Sequence, residues 1–477
     1  MNKIDLANVK KTLYYLHRNG FKNTCYAVWE RLEERKQPPY HWIPPTPEEL
    51  TRQRQESSRL ISAAVTFSIV VPCYRTKDRH LREMMDSVRS QTYPYWELIL
   101  ADATEDDSVE RVVQTVKDRR VRYVKLEKNA GIAENTNQGI KLATGMYVGL
   151  LDHDDLLTRN ALYEIWKAIE DAAARGVEPK LLYSDEDKCD SNAIRYFDLN
   201  KKEDFNLDLL LSNNYICHFM VLERELIQNL LLRKKYDGAQ DYDLVLRAAE
   251  HLTGQEDKIL HIPKVLYHWR CHSLSTAENS QSKLYAYDAG RRAVQEFADR
   301  RGWRLKAVDT LHLGFYRLEY PRSPLDVRSD VGAVGGPLYG RRRKKTLHYK
   351  VQGSSVYVSY KVPFCRRRIL SGRLKEDGTV YYKGLPKGFS GYFHRASLSQ
   401  DAEAVDIRNI RLREELWPLF CDVVGVPWRT IPGGEIFDVS TLPKGTDIKA
   451  TSVELGRAIR RAGYRILYLP ECAQEYE

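Results

Sequence analysis

The residues with the clearest chemical potential stand in a row, Asp152-His153-Asp154-Asp155, directly after the apolar run Met146–Leu151. Side chains alternate along an extended strand, so Asp152 and Asp154 point the same way if the strand continues through them. Two carboxylates side by side repel and need a cation or hydrogen-bond donors to compensate. Oxygen ligands with open coordination positions suit Mg2+ or Mn2+ bridging phosphate oxygens. The competing reading is a helix N-cap with surplus charge. Asp102 closes another apolar run. A carboxylate there either accepts a hydrogen bond from a base or ribose, or simply caps. Asn129-Ala130-Gly131 and Asn135-Thr136-Asn137-Gln138-Gly139 bracket a further connection. Asn and Gly fit a turn and a helix start, or the wall of a nucleotide pocket.

These residues need a frame that brings them to one place. FSIVV (67–71), ELILA (97–101), VRYVKL (121–126) and MYVGLL (146–151) are short apolar, partly β-branched runs of the kind that is buried on both faces. Segments of helical period at 78–91, 105–118 and 132–143 separate them. Strands alternating with helices through short connections predict a parallel, doubly wound α/β sheet. Ligands of such sheets sit beyond the C-terminal strand ends. Those ends carry Pro72-Cys73-Tyr74, Asp102 and the acidic quartet. The first turn lacks GxGxxG, which disfavours dinucleotide binding, and no GxxxxGK[ST] occurs, which excludes a P-loop ATPase.

The chain has 477 residues, 43% of them hydrophobic and 29% charged, with a formal charge of +10. That length suggests about three domains. The balance is that of a globular protein and excludes collagen-like or wholly disordered chains. The charge permits anionic partners without selecting one. Without a run of 18 apolar residues or a secretory signal, the expectation is a cytoplasmic protein with no transmembrane helix. The eight cysteines show no CxxC pair and no Cys/His metal spacing, as expected of free thiols. Residues 1–36 read as helix with a break at Gly20. They hold eight Lys and Arg against four Asp and Glu, so they suit either an anionic membrane surface or packing as a hairpin on the main domain. Five prolines over 37–47 make a linker. The basic run Arg341–Lys345 is either solvated or a phosphate or membrane contact.

Taken together, FSIVVPCY (67–74), WELILADATED (96–106), NAGIAENTNQGIKLATG (129–145) and YVGLLDHDDLL (147–157) resemble the family 2 glycosyltransferases. The resemblance continues through YSDEDK (183–188), SNNYICHF (212–219), GAQDYDLVLR (238–247) and IPKVLYHWRCHSLSTAE (262–278). It covers roughly 66–315 and is similar in detail to rhamnosyltransferase-like enzymes of bacterial surface polysaccharide assembly. It implies a GT-A fold, the Rossmann-like mixed α/β sheet of nucleotide-diphospho-sugar transferases. The expected division is 1–65 as helical extension and linker, 66–320 as the transferase domain, and 321–477 as a degenerate α/β-like region.

The resemblance also implies roles. Asp102 stands where the family binds the base; Asp152 and Asp154 stand for the DxD motif that holds ribose and metal. Pro72, Tyr74, Asn137, Arg270 and Ser275 fall in segments that bind the nucleotide-sugar, although Thr136 replaces the Arg the family usually places before Asn137. Asp241 falls at the catalytic base, or alternatively caps the helix that follows. Inverting transfer needs one base for the acceptor hydroxyl and one cation for the leaving diphosphate, with no second carboxylate nucleophile. Asp185, Glu186 and Asp187 either line an acceptor pocket or form a charged turn. Tyr215, His218 and Trp269 are aromatics of the kind that stack on sugars, or belong to core or surface. His268 or His272 offers a third metal ligand. The implied partners are a nucleotide-diphosphate sugar, with dTDP-rhamnose and UDP-hexoses both open, and a glycan acceptor, lipid-linked in this class. Peripheral contact with the cytoplasmic membrane face is expected, and no nucleic acid.

The segments 330–340, 384–416 and 454–477 resemble the back half of another family 2 domain, without its base-binding strands or DxD. Where the family places its acidic base pair, this region reads Thr451-Ser452-Val453-Glu454. Two other function classes fit parts of the pattern: a catalytically silent glycan-binding or scaffolding relative, and a nucleotidyltransferase. The second would carry a Gly-rich basic loop after the first strand, where this chain has Pro72-Cys73-Tyr74-Arg75-Thr76-Lys77.

Overall fold

In the computed structural model the described residues are 6–34, 36, 38–59, 65–271, 284–340, 344–351, 354–361, 367–427 and 442–476. They fall into two compact units, 38–302 with 312–314, and 1–37 with 303–311 and 315–477.

In the first unit the four apolar runs are strands: β1 (Phe67–Cys73), β2 (Trp96–Asp102), β3 (Val121–Lys125) and β4 (Tyr147–Leu150). β1 pairs in parallel with β2 on one side and β4 on the other, and β3 continues the sheet from β2, also in parallel. Ile69, Val70 and Val71 are fully buried, so apolar cover is required on both faces. The helix Asp78–Arg89 supplies Leu81, Met84, Met85 and Val88 to that core. The helix Ile132–Leu142 approaches β1 so closely that a Cβ on Gly139 would lie 2.5 Å from Val70 Cγ1.

The sheet then changes sense. β5 (Leu156–Leu157), β6 (Leu181–Cys189), β7 (Tyr196–Asn200), β8 (Met220–Glu223) and β9 (Ile259–Arg270) complete it in the order β3-β2-β1-β4-β8-β6-β9-β5, with β7 on β6. β8 is antiparallel to both β4 and β6, β6 and β9 are parallel, and β5 is antiparallel to β9. A parallel front half thus joins a mixed back half. This is the mixed α/β sheet that the GT-A resemblance implies. The helix Gln240–His251 lies between β8 and β9 in the chain.

In the second unit Gln400–Asp401, Arg465–Tyr468, Val331–Gly335 and Ile410–Leu412 form a four-stranded sheet in that order. Val331–Gly335 is parallel to Arg465–Tyr468 and antiparallel to Ile410–Leu412. The helices Trp417–Val424 and Ile448–Arg461 bury Phe420, Leu455 and Ile459 with it. The N-terminal helix Leu6–Glu34 belongs to this unit and is broken where expected, Gly20 having φ 75° and ψ 166°. Among the described residues no helix is long and apolar enough to cross a membrane.

Candidate active site

β4 delivers the chain to the acidic quartet, and Leu151 still bonds to β1 through its N–H to Val70 O, at 3.1 Å. The strand then ends in a turn closed by the Asp155 N–H on Asp152 O (3.3 Å). The turn removes the alternation that would pair Asp152 with Asp154. Asp155 comes round instead, and ligand atoms of Asp152, Asp155 and His218 all lie within 4.8 Å of one another. The sequence pattern had pointed to Asp154 with a histidine at 268 or 272. His272 lies outside the described residues. His268 is buried against Trp42 and Tyr196, with Nδ1 2.5 Å from Asp187, and does not join the cluster.

The turn is built on β9. Asp155 accepts from the Tyr267 hydroxyl (2.5 Å) and from the Arg270 backbone N–H (2.7 Å). Arg270 Nε donates to Asp154 O (2.6 Å) and Nη1 to Ser191 O (2.8 Å), and the guanidinium pairs with Glu83. Arg270 is fully buried. It supports the acidic turn from beneath and is not exposed for the pyrophosphate contact expected of it. Ser275, expected beside it, lies outside the described residues.

Opposite the turn, the helix Gln240–His251 begins with Asp241 in its first turn. Asp241 Oδ2 accepts from Asn214 Nδ2 (3.0 Å) and Cys217 Sγ (2.8 Å). Burial and the Asp241 charge push the Cys217 thiol up to about 12, so it stays an S–H donor. Among the described residues Asp241 Oδ1 has no hydrogen-bond partner. Burial and the charges of Asp154 and Asp241 push the Asp152 carboxyl above the usual carboxylate range, against the pull of His218 and His153. Four carboxylates therefore act on one another at the end of β4, and a hard divalent cation fits that donor set.

The loop before β8 is held from inside. The buried Lys202 ammonium donates to the carbonyls of Ile216, Cys217 and His218. His218 stacks on Tyr267 (4.7 Å between ring centroids) with Nδ1 3.2 Å from Glu186 and Nε2 3.8 Å from Asp152. Burial works against charge on His218, but the Glu186 carboxylate beside it holds its pKa above the ordinary imidazole value. Trp269 lies 5.5 Å from His218, ring to ring, at the same end.

Other expected residues have different surroundings. Asp185, Glu186 and Asp187 lie in β6 and not in a turn. Each holds a different histidine: Asp185 holds His261 (2.9 Å), Glu186 holds His218 and Asp187 holds His268. All three are under 10% exposed because carboxylates that share internal partners are held inside the sheet. Asn137 gives its amide to Leu232 O and accepts from Leu232 N–H, so it fastens two connections together and does not face a diphosphate. Asp102 is buried at the end of β2, where it accepts from Thr104 N–H (2.9 Å) and the Tyr123 hydroxyl (2.8 Å). Pro72 ends β1 half-buried, and the Tyr74 hydroxyl bonds to Glu105 at the rim.

The structure also brings in residues to which the sequence reading gave no such role: Asn214 and Cys217 on Asp241, Tyr267 beneath the turn, and Lys202 beneath the loop. Asn214, Cys217 and His218 all fall inside SNNYICHF, so the segment itself was visible and its contacts were not.

Residues 68–231 match the family described as Glycosyl transferase family 2. The chain carries a family 2 glycosyltransferase domain. An uncharacterized protein, y4gI, of Sinorhizobium fredii is 40% identical over 251 residues, 52% of this chain and 27% of its own. The O-antigen biosynthesis protein RfbC of Myxococcus xanthus is 33% identical over 276 residues, 56% of this chain and 20% of its own. The chain thus spans about a quarter of the length of the first relative and a fifth of the second. TarS 1–349 of S. aureus, solved with UDP-GlcNAc, is a distant structural likeness at 17% identity and a TM-score of 0.40, over 49% of this chain and 67% of that one. The family 2 domain covers the acidic turn, β6, β8 and the loop with Asn214, Cys217 and His218; Asp241 and β9 follow it directly.

Proposed function

We propose that the 38–302 unit transfers a sugar, with inversion, from a nucleotide-diphosphate donor to a hydroxyl of a glycan acceptor. The observation that carries this is Asp241, held through one oxygen by Asn214 and Cys217, with no hydrogen-bond partner on the other among the described residues, and close enough to act on the carboxylates at the end of β4. Asp241 takes the proton from the acceptor hydroxyl as the new glycosidic bond forms. Asp152 would hold a Mg2+ or Mn2+ ion, with Asp155 and His218 beside it. When bound, that ion offsets charge developing on the leaving diphosphate. Tyr267 and Arg270 keep the turn in place, and Trp269 offers an apolar ring for a sugar. Asp102 and the β1 end at Pro72 and Tyr74 take the base side of the donor.

The O-antigen name of one relative supports cell-surface polysaccharide as the product and a lipid-linked glycan as the acceptor. A nucleotide-sugar donor makes the cytoplasm the compartment of the reaction.

The test is a thermal-shift panel of UDP, dTDP, GDP, CDP and ADP with and without Mn2+, followed by donor hydrolysis. A ligand that binds only the folded state raises its stability. The expected result is a shift for one nucleotide that needs metal and is lost in Asp152→Asn, with hydrolysis lost in Asp241→Asn. No shift with any nucleotide would favour a silent glycan-binding relative.

A further inference from the structure

After Gly20 the N-terminal helix presents two unlike faces. One face is bound to its own unit. Glu30 accepts from Gly391 N–H (2.5 Å) and from the Ser390 hydroxyl, and Tyr26 lies against Gly388. Asn19, at the break, donates to Leu311 O (3.1 Å). The opposite face is apolar and open. Phe21 is 77% exposed, Leu32 54%, Val28 47% and Trp29 44%. Phe21, Cys25, Val28 and Leu32 follow one another at helical spacing, four, three and four residues apart, so they form one stripe. A run of large apolar side chains in water costs free energy that a single exposed leucine would not, and such a patch marks a binding surface.

The charges around the stripe select its occupant. At 100° per residue Lys22 and Arg31 fall on either flank, about a quarter turn from the stripe, and both are exposed. Glu30, nearly opposite the stripe, is used in packing. Glu33 is paired with Lys36 and with the Trp29 indole N–H. An apolar stripe between two basic edges matches the boundary between the acyl chains and headgroups of an anionic lipid surface. The rings and aliphatic chains enter the acyl region, and the long basic side chains reach back to the phosphates. An uncharged protein partner would leave both basic edges unmatched.

We infer that the stripe of Phe21, Cys25, Val28, Trp29 and Leu32, flanked by Lys22 and Arg31, docks the second unit on an anionic lipid surface. This stands apart from the transferase reading, because none of these residues belongs to the catalytic unit. The docking lies in the interface plane and is reversible.

The experiment is flotation of the full chain with phosphatidylcholine vesicles, with and without phosphatidylglycerol. The wild type floats with the mixed vesicles and much less with the neutral ones. The triple variant Phe21→Asp, Val28→Asp, Leu32→Asp lowers partition at least ~10-fold on both. The double variant Lys22→Glu, Arg31→Glu lowers it ~25-fold on anionic vesicles and little on neutral ones. Donor hydrolysis in solution stays unchanged in both. Should the triple variant fail to fold, the double variant decides. The inference is overturned if the wild type floats with neither vesicle, or if the variants float like the wild type. A wild-type dimer that the triple variant turns into a monomer would also overturn it, by making the stripe an interface between copies.

Discussion

The back half of the catalytic sheet and the sheet of the second unit can be laid side by side. In the first, β8, β6 and β9 run antiparallel then parallel, with the helices Arg224–Leu230 and Gln240–His251 between β8 and β9. In the second, Ile410–Leu412, Val331–Gly335 and Arg465–Tyr468 repeat the same order and senses. The helices Trp417–Val424 and Ile448–Arg461 occupy the same places in the chain. Aligned on the Arg-Ala pair that both second helices carry, at 247–248 and 457–458, Asp241 falls opposite Thr451 and Asp243 opposite Val453. Asp243 is buried in ion pairs with Arg233 and Arg247. Val453 is buried with Leu374, Val380 and Ala404. One topology is therefore held by ions in one place and by hydrocarbon in the other. The second helix starts on the Asp447 N-cap, but only the first keeps a carboxylate at the position of Asp241, where the second has Thr451. We propose that 330–477 is a partial second copy of this architecture that no longer transfers sugar.

The largest expected effect is at the aligned pair itself. Asp241→Asn should lower kcat for transfer about 10³-fold, measured with the metal-loaded enzyme, while Thr451→Ala leaves it unchanged. Loss of activity in Thr451→Ala would break the proposed division of labour. Next, Asp243→Ala should destabilise the first unit by about 3 kcal/mol, because it removes the carboxylate shared by two partly buried guanidinium groups, Arg233 keeping Glu296 and Arg247 keeping two backbone carbonyls. Val453→Ala should cost the second unit about 2 kcal/mol in lost apolar burial. Denaturant unfolding measures both, and equal costs would remove the contrast between ionic and apolar support. The smallest effect is with pH. Burial alone would raise the Glu296 carboxyl, but hydrogen bonds from Lys235, Tyr236 and Arg233 hold it down at about 2. A depressed carboxylate stabilises the fold above its unfolded pKa, near 4.5, and that contribution is lost as pH falls toward 2. The stability gap between wild type and Glu296→Gln should therefore close over that interval and stay flat above pH 5.

What could be read from the sequence follows from how local each signal is. β1 to β4 were legible because each is a continuous apolar run, and Asp152 because it follows one. The mixed back half was less legible, since β6 carries Asp185, Glu186 and Asp187 through its middle and resembles a solvated turn. Their partners lie far along the chain, at His261, His218 and His268, and only the pairing of β6 with β8 and β9 brings them together. Arg270 and Asn137 misled for the same reason. A polar side chain reads as ligand-facing until its internal partners, such as Asp154 O or the Leu232 backbone, are known. The swap of Asp154 for Asp155 rests on a single turn hydrogen bond.

Those three carboxylates have a consequence for how the catalytic unit reaches its correct assembly. They are consecutive in one strand, and each answers to a different imidazole: Asp185 and Asp187 to His261 and His268 of β9, Glu186 to His218 just before β8. Sliding β6 by one residue would turn every side chain to the wrong side. Three imidazoles would lose their acids at once, leaving buried charges unmatched. β6 therefore acts as a three-toothed key: a misaligned sheet is penalised at three separate points, one of which, Glu186 on His218, involves the loop that also holds Asp241.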